Sequence, residues 1–407
     1  MLNYLLSVFS EWLYRTIEIF DAFVIISKKL NRSLEFRRHW RNSLRNQNQP
    51  VKLWIHGASV GELEDLASFF LDQDKISQAS FKYENIMITA SSVSASQKLE
   101  AWSKEYPFAY CGPIPPEKSS ECVEFLNILK PEKLLLSHTD VWPVLFYQAA
   151  NLVPGGLIWL PQKNVPLSFI KKLFLVPWLK LHILRFPEWK SPFKSFFVGN
   201  PRVSRILSRI ENKINSKKLH ILEAFYAEPV KGKFNLIVGS AWFEDLEVLS
   251  RALNLLTAAE NLQWNIVVIP HDPQDSHEVA RMKQVLPKGR ILLEEGILLE
   301  AYEGFDLAFV GGGFGLGLHN VIEPALWKIP SICGPYIDKQ PEASWLRDLG
   351  QLVILNEAED LAEELRHLLS EKYRMIRNDA CDTAYQKLLE HKDSIDRLIT
   401  CLKGVLP

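Results

Sequence analysis

Glu62 lies in the stretch WIHGASVGELEDL, directly after an apolar run that reads as a buried strand and just inside a helical pattern. A carboxylate at such a strand-to-helix turn can take a proton from a hydroxyl as a general base. It can equally be an acidic first-turn residue that the helix dipole favours. A second stretch, DLAFVGGGFGLGLHNVIEPALWKIPSICGPY, runs from Asp306 to Tyr336 and carries five glycines in seven residues: Gly311, Gly312, Gly313, Gly315 and Gly317. Glycine permits positive φ and lets the backbone approach a ligand closely. The N–H groups at the helix start near His319 and Asn320, with the dipole behind them, suit a phosphate. Glu323, one turn on, is placed to accept hydrogen bonds from ribose hydroxyls. G-x-G-x-x-G fits these glycines in no register and no G-K-[ST] follows, so a dinucleotide fingerprint and a P-loop are both excluded. His271 follows the apolar run NIVVIP, where a phosphate or base contact belongs and where a satisfied loop histidine is also common.

These residues need elements to hold them. VKLWIHG, NIMITA, KLLLSH and GLIWL read as strands before residue 200, and FNLIVGS, NIVVIP, RILLE, DLAFVGG and PSICGP after residue 230. Helical patterns such as ELEDLASFFLDQ, DLEVLSRALNLLTAAE and HNVIEPALWK lie between them. Short apolar strands separated by helices predict an α/β fold with parallel sheets covered on both faces. The series restarts after a charged segment near residues 200–230, so two such domains are expected, 46–212 and 213–407, behind an N-terminal segment 1–45. A chain of 407 residues is too long for one core in any case. Ligands of open parallel sheets bind beyond the C-terminal strand ends, which places the expected site in the cleft between the domains.

A net charge of −1 argues against general nucleic-acid binding. Cys111, Cys122, Cys333, Cys381 and Cys401 are scattered, with no C-x-x-C and no histidine cluster, the pattern of reduced packing cysteines and not of a metal site. Residues 1–27 carry Glu11, Arg15, Glu18 and Asp21, so no uncharged run reaches the roughly 20 residues a spanning helix needs. A basic start and a small-residue cleavage site are both missing, which argues against a signal peptide. Leu6, Phe9, Leu13, Ile17, Phe20 and Val24 share one helical face, followed by Lys28, Lys29, Arg32, Arg37, Arg38, Arg41 and Arg45. That arrangement suits a helix lying on an anionic membrane surface, or an amphipathic helix packed on its own domain. The stretch SFIKKLFLVPWLKLHILRFPEWKSPFKSFF, 168–197, interleaves basic and aromatic residues and allows the same two readings.

The segment GGGFGLGLHNVIEPALWKIPSICGPY resembles the nucleotide-binding segment of the Kdo transferases, which move 3-deoxy-D-manno-octulosonic acid (Kdo) from CMP-Kdo to lipid A. Other stretches are similar to that family in the same order along the chain. ASVGE at 58–62 matches the signature whose glutamate is the family's general base, and TDVWP at 139–143 resembles T-E-x-W-P. GNPR at 199–202 resembles G-N-x-K or G-D-x-R, and GSAWFEDLE at 239–247 resembles G-S-T-W-x-E-D-E. IPHDP at 269–273 resembles P-H-E or P-R-H-P, and GILLEAY at 296–302 resembles G-E-L-x-x-x-Y.

The resemblance implies a GT-B glycosyltransferase, two Rossmann-like domains with the active site in the cleft, inverting and without an essential metal. It implies Glu62 as the base, with Asp140 and Arg202 stabilising the transition state. It implies a nucleotide-sugar site of Ser240, Pro270, His271, Gly296, Ile297, Leu298, Gly312, Gly313, Gly315, His319, Asn320, Val321, Ile322 and Glu323. The implied partners are CMP-Kdo, a lipid A precursor and the cytoplasmic face of a bacterial inner membrane, reached through the N-terminal helix and residues 168–197. The chain departs from the family pattern at Asp140 and Arg202, where Glu and Lys are commoner, at Ile297 for Glu and at Ala241 for Thr. LPQKNVPLS replaces the family's N-A-R-x-S, so the departures fall largely on the acceptor side. A non-catalytic relative that binds lipid A or CMP, and a GT-B enzyme with another nucleotide-sugar donor, are the alternatives.

Overall fold

The computed structural model describes residues 28–45, 50–138, 140–161, 169–187, 189–211, 232–315, 317–338 and 340–404, with Tyr4, Leu5, Val8, Phe9 and Glu11. It divides into two compact units, one of residues 1–205 with 391–407 and the other of residues 206–390.

The first unit is built on seven parallel strands in the order β3-β2-β1-β4-β5-β6-β7. They are β1 (Leu53–Gly57), β2 (Ile86–Ala90), β3 (Tyr110–Pro113), β4 (Lys133–Ser137), β5 (Leu157–Leu160), β6 (Leu179–Leu184) and β7 (Ser195–Phe197). Every residue of β1 is buried, as a strand covered on both faces requires. Its side chains alternate: Leu53 and Ile55 enter one core cluster and Trp54 the other. Full burial of each such side chain stabilises the unit by about 1.5–3 kcal/mol.

The second unit has six parallel strands in the order β10-β9-β8-β11-β12-β13. These are β8 (Phe234–Ala241), β9 (Trp264–Pro270), β10 (Arg290–Ile291), β11 (Leu307–Val310), β12 (Ser331–Cys333) and β13 (Leu352–Ile354). Leu236 and Val238 face one core and Ile237 the other, the same period-2 division. In both sheets the strand order reverses once, between β1 and β4 and between β8 and β11. Crevices at such switch points are where open parallel sheets hold ligands.

The expected strands all form, and four further ones join them: β3, β6 and β7 complete the first sheet and β13 the second. The expected division of the chain needs correcting at its end. Helix Ser394–Leu402 packs Ile395, Leu398, Ile399 and Leu402 into the core of the first unit beside Leu53, Ile55 and Ile183. The expected second domain, 213–407, therefore ends at Glu390 and the chain returns to the first. The amphipathic spacing was visible in the sequence, but spacing alone does not say which sheet a helix covers.

The segments read as membrane-facing are partly structural. Helix Lys28–Arg38 and the turn after it belong to the first unit, with Leu34, Arg37 and Trp40 buried. Arg37 lies over the Trp142 ring at 3.9 Å and donates to the Pro115 carbonyl. Arg41 pairs with Glu121 and Glu124, and Arg45 donates to the carbonyls of Ser103 and Phe108. Much of the basic run thus binds the chain's own acceptors. Residues 179–184 and 195–197 of the second stretch are strands β6 and β7, with Leu181, Ile183 and Arg185 buried, while Lys172, Lys180, Lys190 and Lys194 are exposed. The expected N-terminal helix face, save Phe9, lies outside the described residues. Among the described residues no helix is long and apolar enough to cross a membrane. The five cysteines are buried and unbridged.

Candidate active site

β1 ends at Gly57 and a short loop leads to helix Val60–Glu64, which puts Glu62 at the β1/β4 switch point. A Cβ on Gly57 would lie 3.1 Å from the Cβ of Glu62, so glycine is what lets the helix start close over the strand. Glu62 accepts a hydrogen bond from the backbone N–H of Ala58 through Oε2 at 2.7 Å. Its Oε1 lies 3.6 Å from Nδ1 of His138. One oxygen therefore serves the turn, as a cap would, and the other faces side-chain chemistry. Burial pushes the carboxyl up to about 7, helped by the negative charges of Asp140 and Asp65 and opposed by the Ala58 N–H and Arg185. A carboxylate titrating near neutral pH is suited to general-base work.

Asp140 follows β4. Its Oδ2 accepts from His56 Nε2 at 3.1 Å, Ser91 Oγ at 2.5 Å and Trp142 Nε1 at 3.0 Å. Burial alone would raise its pKa, but these donors outweigh burial and hold it below the usual carboxylate value. His56 in turn meets Thr89 Oγ1 at 2.8 Å, and Trp54 Nε1 donates to the same oxygen at 2.7 Å. The chain of contacts fixes Asp140 as an ionised group beside Glu62.

Arg202, in the first turn of helix Pro201–Glu211, directs its Nε to Oδ1 of Asp65 at 2.9 Å. Arg185 donates from Nη1 to Oδ2 of the same carboxylate at 3.0 Å and to Oδ1 of Asn200 at 3.1 Å. Burial pushes Asp65 up, but the two guanidinium groups prevail and hold it well below the usual carboxylate value. Glu62, Asp140 and Arg202 thus join one network, but Arg202 reaches it through Asp65, which neutralises part of the charge expected to act on a ligand. Asp65, His138, Arg185 and His56 are the residues that reading the sequence missed. Asp65 stands three residues after Glu62 and His138 two before Asp140, and that proximity was the only signal they offered.

In the second unit, Ser240, the penultimate residue of β8, has a left-handed conformation, with φ 50°, and the glycine loop follows β11 across the switch point. The loop's glycines answer mostly to the chain itself. A Cβ on Gly311 would come 2.3 Å from the Ser240 carbonyl oxygen, and one on Gly313 would come 2.6 Å from the Gly334 nitrogen. Gly312 and Gly317 have φ of 85° and 110°. At Gly315 the nearest atom would be Glu244 Oε2 at 3.5 Å, which leaves room. Gly311→Ala is accordingly expected to destabilise the fold by about 1–3 kcal/mol through overpacking. Gly315→Ala should leave stability unchanged or slightly raised while weakening nucleotide binding. Thermal unfolding alongside CMP titration of both variants checks the contrast, and equal losses of stability would contradict it.

Two expectations about the phosphate site change. The helix after the loop is Ile322–Leu326, only five residues, so its dipole is small. Asp245 Oδ2 accepts from the N–H groups of Gly312 at 2.8 Å and Trp242 at 2.9 Å, so the Gly312 N–H is already engaged. Burial pushes Asp245 up to about 6 despite these bonds. Sequence reading missed Asp245, which binds the glycine loop to the first turn of helix Phe243–Leu255.

Trp242, His271 and His319 form a stack, with ring centroids 4.6 Å apart for Trp242 and His271 and 4.4 Å for His271 and His319. Trp242 Nε1 donates to His319 Nε2 at 2.9 Å, which makes that nitrogen an acceptor and leaves a neutral ring's proton on Nδ1. Burial lowers the pKa of His271 despite the nearby Asp272, so its neutral form dominates at pH 7. Asn320 donates from Nδ2 to Glu323 Oε1 at 3.0 Å, and its Oδ1 accepts the Ile322 N–H at 3.1 Å. Val321 and Ile322 are fully buried and Pro270 closes β9 from within the core. The Gly296 carbonyl accepts from Arg209 Nη2, those of Ile297 and Leu298 accept from Ala301 and Tyr302, and the Ile297 side chain lies in the core. Main-chain recognition by residues 296–298 would therefore fall to N–H groups.

Residues 30–154 match the family model of the 3-deoxy-D-manno-octulosonic-acid transferases. The transferase of that name from Aquifex aeolicus is 27% identical over 335 residues, covering 79% of this chain and 86% of the relative. The one from Haemophilus influenzae is 24% identical over 399 residues, 88% of each chain. Among solved structures, the UDP-GlcNAc 2-epimerase of Neisseria meningitidis superposes with a TM-score of 0.61 at 12% identity, covering 87% of this chain and 100% of that one. MurG of Acinetobacter baumannii gives 0.58 at 13% identity, covering 87% and 99%. These two share the fold, the two-domain GT-B architecture. Family match, relatives along most of the chain and fold agree: the chain is a glycosyltransferase, and its similarities support a divergent relative of the 3-deoxy-D-manno-octulosonic acid transferases.

Proposed function

We propose that the protein transfers Kdo, or a closely related ulosonic acid, from its CMP form to a hydroxyl of a lipid A precursor, with inversion. The observation that carries the mechanism is Glu62, a partly buried carboxylate at the β1/β4 switch point whose proton affinity is raised to about 7. Ionised, it takes the proton from the acceptor hydroxyl as that oxygen attacks the sugar's anomeric carbon. The bond from that carbon to the CMP phosphate breaks, and direct displacement inverts the centre. Asp140, held ionised, supports the positive charge that develops on the sugar. The Trp242–His271–His319 stack and the Asn320–Glu323 pair supply ring and polar surfaces for the nucleotide.

The test is transfer from freshly generated CMP-Kdo to a lipid A precursor, read by the mass of the product, in wild type and in Glu62→Gln. Product from wild type alone, undiminished by a chelator, is the expected result. CMP should raise the unfolding temperature and UDP should not. Protection by UDP would point to another donor, and CMP binding without turnover in wild type would favour a binding-only relative.

A peripheral attachment to the cytoplasmic face of the inner membrane completes the proposal. Tyr4, Leu5, Val8 and Phe9 are exposed apolar side chains, in keeping with a face that enters a bilayer surface. Because Arg37, Arg41 and Arg45 bind groups of the protein itself, apolar insertion should dominate over charge. Co-sedimentation with anionic vesicles is therefore expected to survive raised salt and to be lost when residues 1–27 are deleted. Release by salt alone would contradict it.

A further inference from the structure

His138 stands directly after β4 with φ 65°, in the left-handed region that costs a side chain about 1–2 kcal/mol. The conformation is imposed by the neighbouring strand: the His138 N–H donates to the Leu160 carbonyl at 2.8 Å, and Trp159 Nε1 donates to the His138 carbonyl. Both partners belong to β5. Strain maintained in this way at a buried position calls for an explanation in what the side chain does.

The imidazole is placed between two carboxylates. Nε2 lies 3.5 Å from Asp65 Oδ2 and Nδ1 lies 3.6 Å from Glu62 Oε1. Asp65 is fully ionised because Arg185 and Arg202 grip its two oxygens. An ionised carboxylate accepts and cannot donate, so the imidazole's N–H points to Asp65 from Nε2. A neutral ring then turns the lone pair of Nδ1 towards Glu62. The charged groups around the ring are Glu62, Asp65, Arg185 and Arg202, with Asp140 beyond Glu62. Burial and the two arginines disfavour a second proton on the ring, and Asp65 opposes them without prevailing.

We infer that His138 is the positioning residue of the base: fixed by Asp65 through Nε2, it presents Nδ1 to Glu62 and stabilises that carboxyl once it has taken the acceptor's proton. The inference rests on the reading of Glu62 as the base. His138 touches no substrate in this scheme; it raises the basicity of Glu62 and orients one of its oxygens. The arrangement has the form of a carboxylate fixing a histidine tautomer, with a second carboxylate as the group served.

The test separates the two claims. Protein labelled with 13C at the glutamate carboxyl carbons reports the Glu62 midpoint directly, with Glu62→Gln assigning the signal. In His138→Gly, which suits the positive φ, the midpoint is expected to fall by about one pH unit. The rate plateau should fall about tenfold, and the acid limb of kcat/KM should move to lower pH. KM for CMP-Kdo should stay within about twofold. His138→Gln, which reaches Asp65 but withdraws from Glu62, should behave alike. His138→Asn tolerates the same φ and sets an amide oxygen where Nδ1 stood, so it should restore most of the midpoint and rate. A midpoint unchanged or raised in His138→Gly and His138→Gln overturns the inference, even where transfer is lost. Transfer that survives in Glu62→Gln overturns the base itself, and the 13C midpoint still decides whether His138 tunes that carboxyl.

Discussion

Glu62→Gln is expected to lose transfer by roughly 10²–10⁴-fold, the usual worth of a general base, with CMP affinity nearly unchanged. The amide keeps the shape of the carboxyl and its carbonyl can still accept the Ala58 N–H, so the turn between β1 and helix Val60–Glu64 should survive. What disappears is the capacity to take a proton. Wild type itself should show the dependence in its pH profile. The base works only when ionised, so kcat/KM should fall as pH drops through about 7. Stability should move the other way. The folded carboxyl titrates at about 7 against its usual 4.5, so the fold prefers the protonated form, and ionisation costs stability increasingly as pH rises across that interval. The full gap corresponds to about 3 kcal/mol. Neutral Gln escapes that cost, and at pH 8 the variant should unfold at a higher temperature than wild type, with the difference shrinking towards pH 4.5. An inactive variant of unchanged stability would mean that Glu62 is not strained by burial. An active one would remove it from the mechanism.

The strained carboxyl explains why the sequence could be read at this point. WIHGASVGE shows a strand, a small-residue turn and an acid, and those types at that spacing leave few places for the acid to go. The strands were legible from their apolar runs: Leu236, Ile237 and Val238 in FNLIVGS are apolar at successive positions because both faces of β8 are covered there. The partners of Glu62 were not legible. His138, Asp65 and Arg185 meet only when β1, β4 and the segment after β6 are laid side by side, and each alone reads as an ordinary polar residue. β6 itself was obscured because Lys180 within it and Arg185 directly after it gave it the composition of a membrane interface. The glycine loop misled in a different way. Its composition announced a ligand, while four of its five glycines are required by left-handed backbone or by contact with Ser240 and Gly334. Composition registers that glycine is needed and does not say whether ligand or backbone is the neighbour.

Asp65→Asn carries the largest expected effect on stability. The wild-type carboxylate is 1% exposed and is held by Arg185 Nη1 at 3.0 Å and Arg202 Nε at 2.9 Å. The amide keeps the volume but removes the charge that makes two buried guanidinium groups tolerable. Breaking a buried ion pair from one side costs about 3–5 kcal/mol, a large part of the about 5–15 kcal/mol that holds a typical domain folded. The pH dependence has a definite sign. Asp65 titrates in the fold well below its usual 3.8, so its contribution is complete above that value and is lost as pH falls towards the folded one. Urea unfolding at pH 7 should therefore show the full deficit of Asp65→Asn, and a series below pH 4 should show the two proteins converging. Replacing Arg185 by Met in the same chain removes one of the stranded charges, and the double variant should recover part of the loss. Recovery would identify the deficit as electrostatic. A double variant as unstable as the sum of the singles would instead assign the loss to packing around Asn200 and Pro161, the other groups that Arg185 binds. Either protein can then be assayed below its unfolding temperature. A residual transfer rate far beneath wild type in folded Asp65→Asn is expected, because Asp65 both neutralises the arginines and faces the imidazole beside Glu62.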